Sequence, residues 1–103
     1  MPVEVAKTIL QQLGGNRFCL MSGARNLVGD DSTHSLRFRL PLGLAKNGIN
    51  YIRITLNDTD LYDVTFSRFR NAGFITDIAQ FHDVYAENLV GIFCEQTGLE
   101  VQL

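Results

Sequence analysis

The sequence predicts a single α+β domain in which an antiparallel sheet of four or five strands, connected as a meander, carries an N-terminal and a C-terminal helix on one face. Three observations predict this fold. Apolar residues recur at helical spacing near both ends, they alternate at a spacing of two in between, and the connections are short and rich in turn residues. With 103 residues, the chain has the size of one domain with one core.

One predicted helix opens the chain and a second closes it. Pro2 suits a first helical turn, and Gly14-Gly15 ends the apolar spacing that follows it. The residues of that apolar face are Val3, Ala6, Ile9, Leu10 and Leu13. Asp83 is a candidate cap for the second helix, and Gly98 supplies its end. The apolar face of the second helix is Val84, Leu89, Ile92 and Phe93.

Four segments alternate apolar and polar residues and are predicted to be strands. Their apolar positions are Phe18 and Leu20; Leu36, Phe38 and Leu40; Ile52, Ile54 and Leu56; and Tyr62, Val64 and Phe66. The loops between them are residues 22–33, 41–48 and 57–60, where Asn47-Gly48 tolerates positive φ. The run from Phe74 to Phe81 fits a strand or the start of a helix, and we favour the strand. If it forms a sheet edge, a homodimer could assemble by strand pairing.

Composition excludes several classes of protein. The apolar fraction of 46% and the charged fraction of 19% are typical of a globular chain, and the net charge of −2 argues against binding nucleic acid or anionic membrane through bulk charge. Cys19 and Cys94 form no Cys-x-x-Cys pair or Cys/His cluster, so neither a disulfide framework nor a metal site is indicated. The first residues resemble neither a signal peptide nor a membrane anchor. We therefore expect a cytoplasmic protein with no membrane partner.

The sequence contains no complete motif for catalysis or cofactor binding. Gly43 and Gly48 have the spacing of a phosphate-binding loop, but Ile49 and Asn50 replace the Lys and Ser/Thr that such a loop requires. Residues 57–63 cluster aspartates without the glycine and terminal glutamate of a calcium loop. Ser22 lies in no G-x-S-x-G elbow. The sequence therefore predicts no enzyme, no catalytic residue, no metal and no cofactor.

The alternation of the strands predicts which side chains face away from the helices. If the aliphatic positions face the helices, the opposite parity forms an uncovered sheet surface of Arg17, Arg37, Arg39, Tyr51, Arg53, Thr55, Asp63 and Thr65. Most acidic residues fall in loops or beside the last helix. We predict that the first six of these residues form a binding site.

Three interpretations of this surface remain open. Arginine binds phosphates and stacks on bases, and tyrosine provides a stacking platform, so single-stranded DNA or RNA is a candidate ligand. Alternatively, a solvated sheet face needs polar side chains, and the arginines serve only to pair across strands, for instance with Asp63. The third interpretation is a protein partner, because Arg and Tyr are enriched at the centres of interfaces.

Several segments together resemble a family of short, largely uncharacterised proteins encoded by bacteriophages, plasmids and integrated mobile elements. These segments are TILQQLGGNRF, SGARNLVG, KNGINYIRITLN, DLYDVTFSR and FCEQTGL. Ser22 and Arg25 stand where the pattern of that family often has Thr and Lys, and the segments DDSTH and PLGL lengthen two loops relative to it. The resemblance implies no reaction and no catalytic residue.

Mobile elements encode many small proteins that bind nucleic acid or obstruct host defence enzymes. The resemblance therefore favours a non-enzymatic binding protein of a phage or mobile element, which contacts single-stranded nucleic acid through the predicted surface. The alternative is an inhibitor of a host defence protein, of the anti-CRISPR or anti-restriction type, which acts by protein–protein interaction through that surface or through the acidic loops.

Overall fold

The predicted architecture is confirmed by a computed structural model, which describes residues 4–30, 32–41, 43–70 and 73–101. The helices are α1 (Glu4–Leu13), α2 (Asn16–Ser22) and α3 (Leu89–Thr97). The strands are β1 (Arg25–Asp30), β2 (Ser35–Arg39), β3 (Tyr51–Leu56), β4 (Tyr62–Phe69) and β5 (Ile75–Val84). They form one antiparallel sheet in the order β1-β2-β3-β4-β5, which is a meander. Short 3-10 turns cover Lys46–Gly48 and Ala86–Asn88.

The helices pack on one face of the sheet, as predicted, and cover the apolar positions of β2, β3 and β4. These positions are Leu36, Phe38, Ile52, Ile54, Val64 and Phe66, all buried. Helix α1 contacts β1, β2 and α3. Phe18 of α2 joins this core with its ring 5.6 Å from that of Phe38 and 4.9 Å from that of Phe93 on α3. The opposite face of the sheet, called the open face below, has no helix on it among the described residues.

The predicted first strand at Phe18 and Leu20 is wrong, because this segment is helix α2. Two apolar residues spaced by two also fit a helix in which one of them faces solvent. Phe18 is fully buried, whereas Leu20 is 85% exposed. The side chain of Ser22 is buried one turn later and donates a hydrogen bond to the Phe18 carbonyl at 2.7 Å. Left-handed backbone at Gly23 (φ 76) then ends the helix.

The first strand instead lies within the predicted loop of residues 22–33. It is β1, an edge strand whose residues are exposed or half-buried, so it lacks the alternation that identifies a strand in sequence. A bulge between Arg25 and Val28, with Asn26 at φ 55, further disturbs its pattern. The chain therefore reaches five strands with β1 present and the predicted strand at 18–20 absent.

At the other end of the sheet, the predicted strand near residues 74–81 is confirmed as β5, the second edge. Asp83 lies inside this strand, with φ 56, so its predicted role as the cap of the last helix is wrong. Val84 also belongs to β5, and α3 begins at Leu89 and ends at Gly98 (φ 75). The turn at Asn47 (φ 62) and Gly48 (φ 71) has the positive φ expected there.

Three remaining sequence features concern the start of the first helix, the two cysteines and the lengths of the helices. Pro2 and Val3, predicted to begin the first helix, lie outside the described residues. Both cysteines are free thiols that pack against the core, and burial raises the pKa of the Cys19 thiol. None of the described helices combines the length and the apolar content needed to cross a membrane.

Candidate nucleic-acid interface

Strand register brings five of the six predicted site residues together on the open face. Arg37 of β2 lies directly opposite Arg53 of β3, and Arg39 lies opposite Tyr51. Thr55 pairs with Ser35 on one side and with Asp63 on the other. Arg53 is exposed, whereas the other four are half-buried. Because directly opposed residues in an antiparallel pair have Cβ atoms about 5 Å apart, the face carries a compact basic and aromatic group.

Arg17, the sixth predicted residue, does not belong to this group. It was placed on the open face because residues 18–20 were predicted to be a strand, and that strand is helix α2. Arg17 is an exposed residue of that helix, which packs on the covered side of the sheet through Phe18. Its predicted placement beside the other arginines is therefore wrong.

The arginines of the open face have no carboxylate partner among the described residues. The single ion pair within those residues joins His82 Nδ1 to Asp63 Oδ1 at 3.5 Å. The predicted pairing of an arginine with Asp63 is therefore not present. Arg37 and Arg53 instead oppose each other, an arrangement of like charges that destabilises a sheet. The Nε of Arg37 is buried without a hydrogen-bond partner.

Asp63 takes part in a separate hydrogen-bond network at the other end of the open face. Asn57 Nδ2 donates to Asp63 Oδ1 at 3.0 Å and to Asp83 Oδ1 at 2.9 Å, and the Asp83 backbone N–H donates to Asp63 at 3.2 Å. Burial raises the pKa of the Asp63 carboxyl, but the hydrogen bonds from Asn57 and Asp83 and the charge on His82 outweigh it, so its pKa is lowered. Within the described residues, the Asp63 carboxylate is therefore bound by Asn57, Asp83 and His82 and by no arginine.

Phe69, a residue that sequence reasoning missed, completes the aromatic part of the face. Arg39 Cζ lies 4.2 Å from the centroid of the Phe69 ring, within range of a cation–π interaction. The Tyr51 ring lies 6.3 Å from the same ring, centroid to centroid. A signal for Phe69 was present, since it continues the alternation of β4 that places Thr65 on the open face.

Asn50 holds Phe69 in place. Its side chain is buried, with 4% exposure, and bonds to both polar groups of the Phe69 backbone. Asn50 Oδ1 accepts from the Phe69 N–H at 2.6 Å, and Asn50 Nδ2 donates to the Phe69 carbonyl at 3.0 Å. The side chain thus continues the β3–β4 pairing beyond its last residue pair. From the sequence, Asn50 was considered only as a residue that departs from the pattern of a phosphate-binding loop, and this role was not predicted.

A groove of about 760 Å³ lies beside Arg39 and Phe69 at this end of the sheet. We call it the end groove. Its lining includes Arg25, Arg39, Asn50, Phe69, Arg70 and Phe74. Sequence reasoning missed Arg25, Arg70 and Phe74, because they lie in or beside turns that are distant along the chain. No carboxylate is found among the described residues that line this groove.

Charge is separated between the two ends of the sheet. The end that holds the groove carries Arg25, Arg39 and Arg70, together with Asp77 of β5, whose carboxylate accepts from Ser67 Oγ at 2.9 Å. The other end carries the carboxylates of Asp30, Asp58, Asp60, Asp63 and Asp83, which lie at strand ends or in the β3–β4 turn. A chain whose total charge is only −2 therefore presents a locally basic surface.

Comparisons with known proteins add no family to this description. The chain matches no protein-family model, no curated protein and no solved structure. Within the described residues, no three His, Cys, Asp or Glu side chains are grouped so that they could hold a metal ion.

Proposed function

We propose that this chain is a non-enzymatic, cytoplasmic binding protein of a phage or mobile element, and that its open face contacts single-stranded nucleic acid. The observation that carries the proposal is the group of Arg37, Arg39, Arg53 and Tyr51 on adjacent strands, without carboxylate partners among the described residues. The mobile-element origin is supported by the sequence resemblance alone.

The arrangement suits a single strand for two physical reasons. Guanidinium groups neutralise backbone phosphates, and flat aromatic or guanidinium surfaces stack on unpaired bases of any sequence. A sheet face accommodates an extended strand, and Tyr51 and Phe69 lie next to the arginines there. Thr55 supplies a hydroxyl beside this row. We therefore expect binding that depends on backbone charge and stacking more than on sequence.

The first prediction concerns Arg53, the exposed arginine of the group. Arg53→Ala should weaken binding of a fluorescently labelled oligothymidylate by about 1 to 3 kcal/mol, through loss of a phosphate or stacking contact. Fluorescence anisotropy at a series of salt concentrations measures this, and the affinity should fall steeply with salt.

Arg17 provides the matched control for this experiment. Arg17→Ala removes the same charge from an exposed position on α2, away from the open face. It should change the affinity much less than Arg53→Ala. Equal losses from the two variants would show that bulk charge alone attracts the strand. Absence of binding at low salt would eliminate the proposed function.

The acidic end favours a second candidate function, inhibition of a host defence protein such as a nuclease. Carboxylates at Asp58 and Asp60 are exposed in the β3–β4 turn and could occupy phosphate positions in a DNA channel. A pull-down from host lysate separates the two functions. A stoichiometric protein partner, captured without nucleic acid and lost in Asp58→Asn/Asp60→Asn but retained in Arg53→Ala, would favour inhibition through this end.

A further inference from the structure

The end groove differs from the rest of the open face because it is concave and has both charged and aromatic walls. Its volume of about 760 Å³ lies within the range of small-molecule sites in proteins. Arg39 belongs both to the groove and to the row of arginines on the open face. A nucleic-acid strand lying on the open face can therefore enter the groove at this end of the sheet.

Two of its walls are held in fixed positions before any ligand binds. The buried Asn50 side chain bonds to the N–H and the carbonyl of Phe69, which fixes the backbone of that residue. Arg39 lies over the Phe69 ring, with Cζ 4.2 Å from the centroid. A stacked guanidinium keeps its N–H donors, which lie in the plane of the group, free for an anion. Preorganisation of this kind lowers the entropic cost of binding.

The groove also concentrates more positive charge than an internal phosphate requires. Arg25 lies opposite Arg39 across the β1–β2 pair, and Arg70 follows the end of β4. Among the described residues, none of these three side chains forms an ion pair. An internal phosphodiester carries one negative charge, whereas a terminal phosphate ester carries about −1.5 to −2 at neutral pH. Three arginines suit the more highly charged group.

An aromatic platform stands beside these cations. The Phe74 side chain is 70% exposed, although a phenylalanine gains free energy when its ring leaves water. The backbone of Phe74 is anchored beside Arg70, since the Arg70 N–H donates to the Phe74 carbonyl at 2.8 Å. A base stacked on this ring would cover it while its phosphate contacts the arginines.

We propose that the end groove binds the terminal nucleotide of a single strand, with the terminal phosphate held by Arg25, Arg39 and Arg70 and the base stacked on Phe74. This inference rests on the proposed function, because it specifies that the end of the bound nucleic-acid strand lies in the groove. The 5′ and 3′ ends share the relevant chemistry, and the experiment distinguishes them.

The test compares three oligothymidylates of one length, labelled internally, with a 5′-phosphate, a 3′-phosphate or hydroxyl groups at both ends. Fluorescence anisotropy with the full chain should show that one phosphorylated strand binds about tenfold more tightly than the hydroxyl-ended one, the gain expected from one charge-assisted hydrogen bond. Arg70→Gln should abolish this preference, so that the three strands bind this variant with equal affinity.

Two further variants separate the groove from the rest of the face. Phe74→Ala should weaken binding of the preferred phosphorylated strand more than binding of the hydroxyl-ended strand. Arg53→Ala should weaken all three strands equally and preserve the ratio between them. Circular dichroism and thermal unfolding should match the unmodified protein for Arg70→Gln, because Arg70 is exposed.

The possible contrary results have different meanings. Equal binding of all three strands, unaffected by Arg70→Gln, would overturn this inference and leave the proposed function standing. Competition by free thymidine 5′-monophosphate at the same concentration as the phosphorylated strand would assign the groove to free nucleotides and overturn the strand-end assignment. If no strand binds, both the proposed function and this inference fail.

Discussion

At the scale of single residues, the candidate site depends on side chains that position others. Asn50 is not a predicted site residue, yet its side chain fixes the backbone of Phe69, whose ring lies beneath the Arg39 guanidinium. Gly48, in the turn before β3, instead leaves room for the neighbouring Arg68 side chain. A Cβ built on it would lie 2.8 Å from Arg68 Nε, and its φ of 71 already disfavours other residues. The roles of Asn50 and Gly48 follow from their contacts in the folded protein and cannot be inferred from residue type alone.

The prediction at this scale concerns Asn50→Ala. The change leaves the N–H and carbonyl of Phe69 without their partners in a partly buried position, which should lower the free energy of unfolding by about 1 to 3 kcal/mol. Urea denaturation measures the loss. Hydrogen exchange at the Phe69 amide should become faster at the same time, because its acceptor is removed.

Asn88→Ala is the control for that variant. Asn88 is exposed and its side chain does not cap α3, so its removal should change the free energy of unfolding by no more than about 0.5 kcal/mol. If Asn50→Ala were as mild as the control, the side chain of Asn50 would not hold the end of β4.

At the scale of secondary-structure elements, helix α2 links strand β2 to helix α3 on the covered side of the sheet. The Phe18 ring packs edge-on against Phe38 of β2 and Phe93 of α3, so the helix joins two elements that are distant in sequence. The neighbouring Leu20 points away from this contact. A strand would have placed both residues on the same face.

The prediction at this scale therefore compares Phe18→Ala with Leu20→Ala. Removal of the buried ring should lower the free energy of unfolding by about 3 to 5 kcal/mol, whereas truncation of the exposed leucine should change it by less than about 0.5 kcal/mol. Urea denaturation of both variants measures the contrast. Phe18→Leu is milder and should unfold between the two if Phe18→Ala fails to fold.

Similar losses at the two positions would contradict the helical assignment of residues 16–22. They would indicate a segment in which Phe18 and Leu20 share a buried face, as a strand requires.

At the scale of the whole molecule, charge is separated along the sheet, and its acidic end is stabilised internally. Asn57 bridges Asp63 and Asp83, and the same residue accepts from Thr59 at 2.9 Å, so the β3–β4 turn is tied to β5. The Asp30 carboxyl accepts from the Ser32 side chain at 2.6 Å, and these contacts lower its pKa. The ionised forms of Asp30 and Asp63 are therefore stabilised at the acidic end, whereas the arginines of the basic end form no ion pair among the described residues.

This arrangement predicts how stability depends on pH. The pKa of Asp63 is lower in the folded protein than the value of about 3.9 in an unfolded chain. Its contribution to stability is therefore present above about pH 4 and is lost as the pH falls through the folded pKa. Urea denaturation near pH 7 and pH 3 should show a smaller difference for Asp63→Asn than for the unmodified protein.

Asp58→Asn serves as the comparison, because the exposed Asp58 lies in the same turn and takes no part in the Asn57 network. Its pH dependence should match that of the unmodified protein. If Asp63→Asn kept the full acid sensitivity, other groups would account for the loss of stability at low pH.

By itself, the sequence determined the α+β class, the meander, strands β2 to β4 and the side of the sheet on which Arg37, Arg39, Tyr51, Arg53 and Thr55 lie. Alternation at a spacing of two is a local property of a half-covered strand, so it can be read without knowledge of its neighbours. Only the tertiary structure decided that residues 16–22 are helical, that β1 is an edge strand, and that Arg25, Arg70 and Phe74 meet in the end groove. These features depend on pairing and burial between segments distant along the chain, which leave no periodic signal in the residues themselves.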